Sequence, residues 1–69
     1  MTKVVRQHHN LNYYIVLEIK MTFEIPYYEV QACPIHGDIV GSPERSMMYP
    51  LFDKRNANAT FNRYKRKYV

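Results

Sequence analysis

Residues 15–27 read Ile-Val-Leu-Glu-Ile-Lys-Met-Thr-Phe-Glu-Ile-Pro-Tyr, with an apolar residue at every odd position. This period of two is typical of a β-strand that buries one face. Thirteen residues would extend roughly 43 Å, so we expect a long, curved strand. The alternative is a hairpin with a three- or five-residue loop near residues 20–22. We do not expect a two-residue turn, because it would invert the apolar face and no Gly, Asn or Asp lies between Leu17 and Ile25.

Shorter strands are predicted on both sides of this stretch. Residues 4–8 form a partner strand joined through a turn at residues 9–12, where two Asn residues tolerate turn geometry. Pro26 cannot donate a hydrogen bond to a sheet, so it marks an edge, a bulge or a break, after which residues 27–32 continue as a strand. Residues 33–38 have the composition of a turn, and Ile39–Val40 can form a short strand.

Two helices are expected in the second half of the chain. Ser42-Pro43-Glu44 is typical of a helix start, and Pro50 limits that helix to about one turn over residues 43–48. The polar residues 53–58 are expected to loop. Ala57, Phe61, Tyr64 and Tyr68 follow at i, i+4, i+7 and i+11, which places them on one helical face. The predicted fold is α+β: a small antiparallel sheet with a short helix and a basic C-terminal helix or tail.

Length and composition limit the classes of protein. The chain has 69 residues, of which 46% are hydrophobic and 23% charged, as in a globular protein. We expect one domain over residues 1–69, too small for a dinucleotide-binding unit, a barrel enzyme or a kinase. No stretch is long and apolar enough to span a membrane, and no signal peptide is apparent. A single cysteine, Cys33, favours a reducing compartment, and we expect a cytoplasmic protein.

Cys33 and His36 are the only close Cys–His pair in the sequence. Two residues separate them, a spacing that zinc knuckles use, but the further ligands of a zinc site are not evident. A Cys nucleophile would also need an orienting group and an oxyanion site, which the sequence does not indicate. We therefore interpret Cys33 as a small core residue, and we expect neither catalysis nor a cofactor or metal.

The strongest functional signal is the charge of the last third of the chain. The net charge of the whole chain is +4, while residues 51–69 alone carry six Lys and Arg against one Asp, or +5. Lys and Arg attract phosphates, and aromatic rings interspersed among them can stack on unpaired bases. The sequence therefore predicts contact with nucleic acid or a nucleic-acid-bound complex. The residues assigned to it are Lys54, Arg55, Arg63, Tyr64, Lys65, Arg66, Lys67 and Tyr68.

A second hypothesis uses the sheet. A strand with an exposed edge can pair with another chain, in a homodimer or by adding to a partner's sheet. The seven Tyr residues would suit such an interface. The alternative function is thus a protein-directed inhibitor or assembly factor that binds through a sheet edge and surface tyrosines.

Tyr13-Tyr14 followed by Thr22-Phe23-Glu24-Ile25-Pro26-Tyr27-Tyr28 resembles the hairpin of the small phage inhibitors of bacterial RNA polymerase. The resemblance covers under a third of the chain, and the long helix of that family is interrupted here by prolines and glycines from Pro34 to Pro50. It implies a phage or mobile-element protein in which a compact sheet blocks a larger machine.

Overall fold

The protein is described by a computed structural model over residues 2–69, in which five strands precede one helix. The strands are β1 (Thr2–His9), β2 (Tyr13–Thr22), β3 (Ile25–His36), β4 (Ile39–Val40) and β5 (Arg45–Pro50). A 3-10 turn over Leu51–Asp53 leads into the helix α1 (Lys54–Lys67). The predicted α+β class, the antiparallel sheet and the C-terminal helix are confirmed.

All strand pairs are antiparallel, and β3 is the central strand. One edge of β3 pairs with β2, which in turn pairs with β1. The other edge pairs with β5 through residues 27–32 and with β4 through residues 35–36. The predicted N-terminal hairpin is confirmed, and its turn is held by Asn10, whose Oδ1 accepts the backbone N–H groups of Asn12 and Tyr13, each at 2.8 Å.

The expected long strand over residues 15–27 is wrong. A two-residue turn at Phe23–Glu24 divides it into β2 and β3, with positive φ values of 51° and 65°. These left-handed values are those of a type I′ hairpin turn, which normally selects Asn-Gly. The turn is strained locally, but it allows the ten residues of β2 to pair along β3.

The turn also inverts the buried positions, so the odd residues face the core in β2 and the even residues in β3. Ile15 pairs with Ala32, Leu17 with Val30 and Ile19 with Tyr28, all on the same side of the sheet. The apolar residues after the turn continue the alternation by coincidence. Ile25, for example, is 67% exposed.

The helix expected at residues 43–48 is also wrong, because residues 45–50 form β5. Ser42-Pro43-Glu44 favours only the first turn of a helix, and this preference is local. Pairing with the free edge of β3 satisfies the backbone of six residues instead, and tertiary pairing outweighs the local signal.

The core lies between α1 and one face of the sheet. Ala57, Phe61, Tyr64 and Tyr68 pack on the sheet, which confirms the predicted helical face. Contrary to the expected loop over residues 53–58, the helix already begins at Lys54. The molecule therefore has two layers, a helix layer and a sheet whose opposite face we call the open face.

Candidate functional site

The basic residues are concentrated on the helix side of the molecule. The chain has ten Lys and Arg. Six of them lie on α1. Strand pairing adds three more to the same side, because Lys3 pairs with Ile19, Arg6 with Leu17 and Arg45 with Ala32, and directly paired residues point to one face. Only Lys20 points to the open face. We call the nine residues of the helix side the basic surface.

Residues at i, i+4, i+7 and i+11 also form the outermost line of α1. Arg55, Ala59, Asn62 and Arg66 have the same spacing as the four core residues but are displaced by two positions, which is about 200° around the helix. We call these four residues the outer row. It consists of an Arg at each end and small or polar residues between them.

Further cations flank the outer row on both sides. Lys65 lies 5.9 Å from the Phe61 ring on the side of β1, and Lys54 shares its helical face. On the side of β5, Arg63 lies next to Thr60, whose hydroxyl hydrogen-bonds Tyr49 of β5. Lys67 follows Arg63 by one turn. The helix thus presents positive charge across its whole solvent-facing half.

No carboxylate of the described residues forms an ion pair with the basic surface. The ion pairs within residues 2–69 are those of Lys20 with Glu29 at 3.1 Å and with Glu18 at 3.9 Å, on the open face. Burial lowers the pKa of Lys20, but the hydrogen bond and the charge of Glu29 outweigh it and raise that pKa overall. Two of the six acidic residues therefore neutralise the one cation that lies away from the helix, and the charges on α1 remain available to an external anion.

Arg6 connects β1 to the helix. Its guanidinium donates to the Oδ1 atoms of Asn58 at 2.9 Å and Asn62 at 3.1 Å, and it lies 4.3 Å above the centre of the Phe61 ring. These contacts fix one side of α1 against the edge of the sheet. They also place a positive charge beside the outer row.

The expectation that Tyr64 or Tyr68 stacks on bases is wrong. Tyr64 is 4% and Tyr68 8% exposed, and the two rings pack edge to face at 5.4 Å. Burial raises the pKa of the Tyr64 hydroxyl, in keeping with its place in the core. The spacing of the two tyrosines is that of a helical face packed in the core. All six assigned cations belong to the basic surface: Lys54, Arg55, Arg63, Lys65, Arg66 and Lys67.

Cys33 and His36 are not brought together. They lie three residues apart on β3, so their side chains point to opposite faces of the sheet. Cys33 is buried, and burial raises the pKa of its thiol. Residues 2–69 contain no group of three His, Cys, Asp or Glu side chains that could hold a metal ion.

The sequence predicts six of the nine cations of the basic surface. It misses Lys3, Arg6 and Arg45, which lie outside α1 and reach its side only through the pairing of β1 and β5. The alternation of side chains along β1, read against that of β2, is the signal that could place Lys3 and Arg6 on the helix side. It cannot be used without knowledge of the bulge at Val5, between Val4 and Arg6.

The described residues form no pocket, so the candidate site is an open surface rather than a cleft. No helix within residues 2–69 is long and apolar enough to cross a membrane. No protein-family model matches the chain, and neither curated proteins nor solved structures contain a significant match to it.

Proposed function

We propose that the protein binds nucleic acid, directly or within a nucleic-acid-bound complex, through the basic surface. The observation that carries the proposal is the segregation of nine of the ten Lys and Arg residues onto the helix side. A surface of one sign attracts a polyanion, and release of the counterions of the phosphates favours binding.

The burial of the helix aromatics supports contact with phosphates rather than with unpaired bases. Tyr64, Tyr68 and Phe61 all contribute to the core, and Phe61 is 2% exposed. Sequence-independent binding of single strands usually combines cations with exposed aromatic rings. Here most of the cations of the basic surface are exposed and the rings of α1 are buried.

The proposal is tested by the salt dependence of binding. Arg55 and Arg66 are exposed, and neither makes a side-chain hydrogen bond or ion pair within residues 2–69. We expect the double variant Arg55→Ser/Arg66→Ser to fold normally. It should bind a labelled DNA more weakly, and its slope of log affinity against log salt should be shallower by roughly 0.7–0.9 for each phosphate that the variant no longer neutralises.

A matched control separates this surface from net charge. Gln7 and Ser42 are exposed and neither lies on α1. The variant Gln7→Glu/Ser42→Glu lowers the net charge by the same two units. Gln7 accepts a hydrogen bond from Tyr14, and a Glu at this position can still accept it. Equal reduction of affinity in the two double variants, or a wild-type affinity that does not change with salt, would count against the proposal.

A protein-directed inhibitor or assembly factor is the second candidate function. The observation that favours it is the outer edge of β1, an eight-residue strand that pairs only on its β2 side within residues 2–69. The tyrosines lend it less support, because three of the seven are buried and the other four are half-buried. If this function holds, replacing Arg63, Lys65, Arg66 and Lys67 with Ser should leave capture of a protein partner largely intact.

A further inference from the structure

We infer that the nucleic acid is double-stranded DNA and that α1 lies with its outer row in the major groove. This inference rests on the proposed function and goes further, since it names the ligand and the orientation of the helix. It is carried by the distribution of charge around α1, by the side chains of the outer row and by the burial of the aromatic rings.

The cations are arranged for a ligand that has phosphates on two sides. Lys54 and Lys65 flank the outer row towards β1, and Arg63 and Lys67 flank it towards β5. The two walls of a groove would be met by two flanks, and an α-helix of about 10–12 Å diameter matches the roughly 12 Å width of the B-DNA major groove.

The outer row has the composition expected of a surface that approaches base edges. Ala59, near its middle, is exposed and has no bulk to hold the helix away. Asn62 uses its Oδ1 for Arg6, which leaves the amide N–H₂ group as a donor. Arg55 and Arg66 stand at the two ends, and guanidinium groups bind the O6 and N7 atoms of guanine.

Single strands and RNA duplexes fit this surface less well. With Phe61, Tyr64 and Tyr68 in the core, α1 offers no ring on which an unpaired base could stack. The exposed ring nearest to α1 in sequence is Phe52, which precedes it and is 91% exposed. The major groove of an A-form RNA duplex is deep and narrow, so side chains on a helix cannot enter it.

The first experiment compares three kinds of ligand at one salt concentration by fluorescence anisotropy. They are a DNA duplex of about two helical turns, each of its separated strands, and the RNA duplex of the same sequence. We expect the DNA duplex to bind about ten-fold or more tightly than either alternative. Equal or tighter binding of a single strand or of the RNA duplex would overturn the inference while leaving nucleic-acid binding in place. Failure to bind any of the three would remove the proposed function itself.

The second experiment locates the helix on the duplex. Dimethyl sulfate methylates guanine at N7 in the major groove and adenine at N3 in the minor groove. We expect the bound protein to protect guanine N7 and to leave adenine N3 reactive. This protection should disappear with Arg55→Ser/Arg66→Ser and remain with Gln7→Glu/Ser42→Glu. Protection of adenine N3 alone, or no protection of either atom on a saturated duplex, would overturn the placement of α1.

Discussion

Arg6 has a structural role within the basic surface. Its two hydrogen bonds to Asn58 and Asn62 and its position over Phe61 join β1 to α1, so its charge is already engaged by the protein. We expect Arg6→Ala to lower the free energy of unfolding by about 2–3 kcal/mol. Arg6→Lys should recover only part of this stability, because an ammonium group cannot reproduce the two-pronged geometry of a guanidinium. Urea unfolding measures both effects.

Lys3 provides the matched control for Arg6. It lies on the same strand and the same side of the sheet, but it is exposed and makes no side-chain hydrogen bond or ion pair within the described residues. Lys3→Ala should therefore change the free energy of unfolding by less than about 0.5 kcal/mol. Equal costs for Arg6→Ala and Lys3→Ala would show that the contacts of Arg6 with the helix do not stabilise the fold.

The β2–β3 turn is the element whose sequence fits its conformation least. Phe23 and Glu24 both have positive φ, although neither is Gly, Asn or Asp, and a left-handed conformation costs roughly 1–2 kcal/mol for an ordinary residue. Phe23 is 94% exposed, so its side chain returns little of that cost through burial. We expect Phe23→Asn/Glu24→Gly to raise the stability by about 1–2 kcal/mol and the Tm by roughly 5–10 °C.

Phe23→Ala/Glu24→Ala is the control for this turn. It removes the same side chains but keeps two residues that are strained at positive φ, so it should not raise the Tm. Similar stabilisation by both double variants would indicate that the gain comes from removal of the exposed Phe side chain. No stabilisation by Asn-Gly would contradict the two-residue turn.

The elements show which parts of the fold a sequence can predict. The β1–β2 hairpin and the buried face of α1 are predictable, because Asn10 makes the turn locally and Phe61 and Tyr64 repeat with the helical period. The β2–β3 turn is not, because its strain is offset by strand pairing that only the folded molecule contains. The helix predicted over residues 43–48 fails for the same reason, since β3 offers an edge with which residues 45–50 can pair.

At the scale of the whole molecule, the sequence predicts the positive charge of α1. It does not predict that the basic surface continues from α1 onto β1 and β5. The outward position of Arg66 follows from helical periodicity once Phe61 and Tyr64 are assigned to the core. Arg45 joins the same surface only because β5 is a strand, although this segment follows a typical helix start. The presence of Lys3, Arg6 and Arg45 on the helix side is therefore a property of strand register.

The titrating groups with raised pKa values make stability fall at alkaline pH. Burial raises the pKa of Cys33 above its ordinary value of 9.0 and those of Tyr14 and Tyr64 above 10.0. Between the unfolded and the folded pKa of each group, the unfolded chain has released a proton that the native state still holds, so the free energy of unfolding decreases as pH rises. Lys20 acts in the same direction, because the raised pKa reflects an ion pair that deprotonation abolishes.

We therefore expect urea unfolding at a series of pH values to show stability that is already declining at pH 9, the ordinary pKa of the Cys33 thiol, and that declines more steeply near and above pH 10 as the tyrosines contribute. Cys33→Ala removes the first of these titrations without placing a charge in the sheet. Its stability curve should run flatter than that of the wild type between pH 9 and pH 10, and the two curves should become parallel only where the native thiol has also ionised. Identical slopes for the two proteins in the lower interval would mean that the Cys33 thiol ionises equally readily in the native state, which its burial opposes.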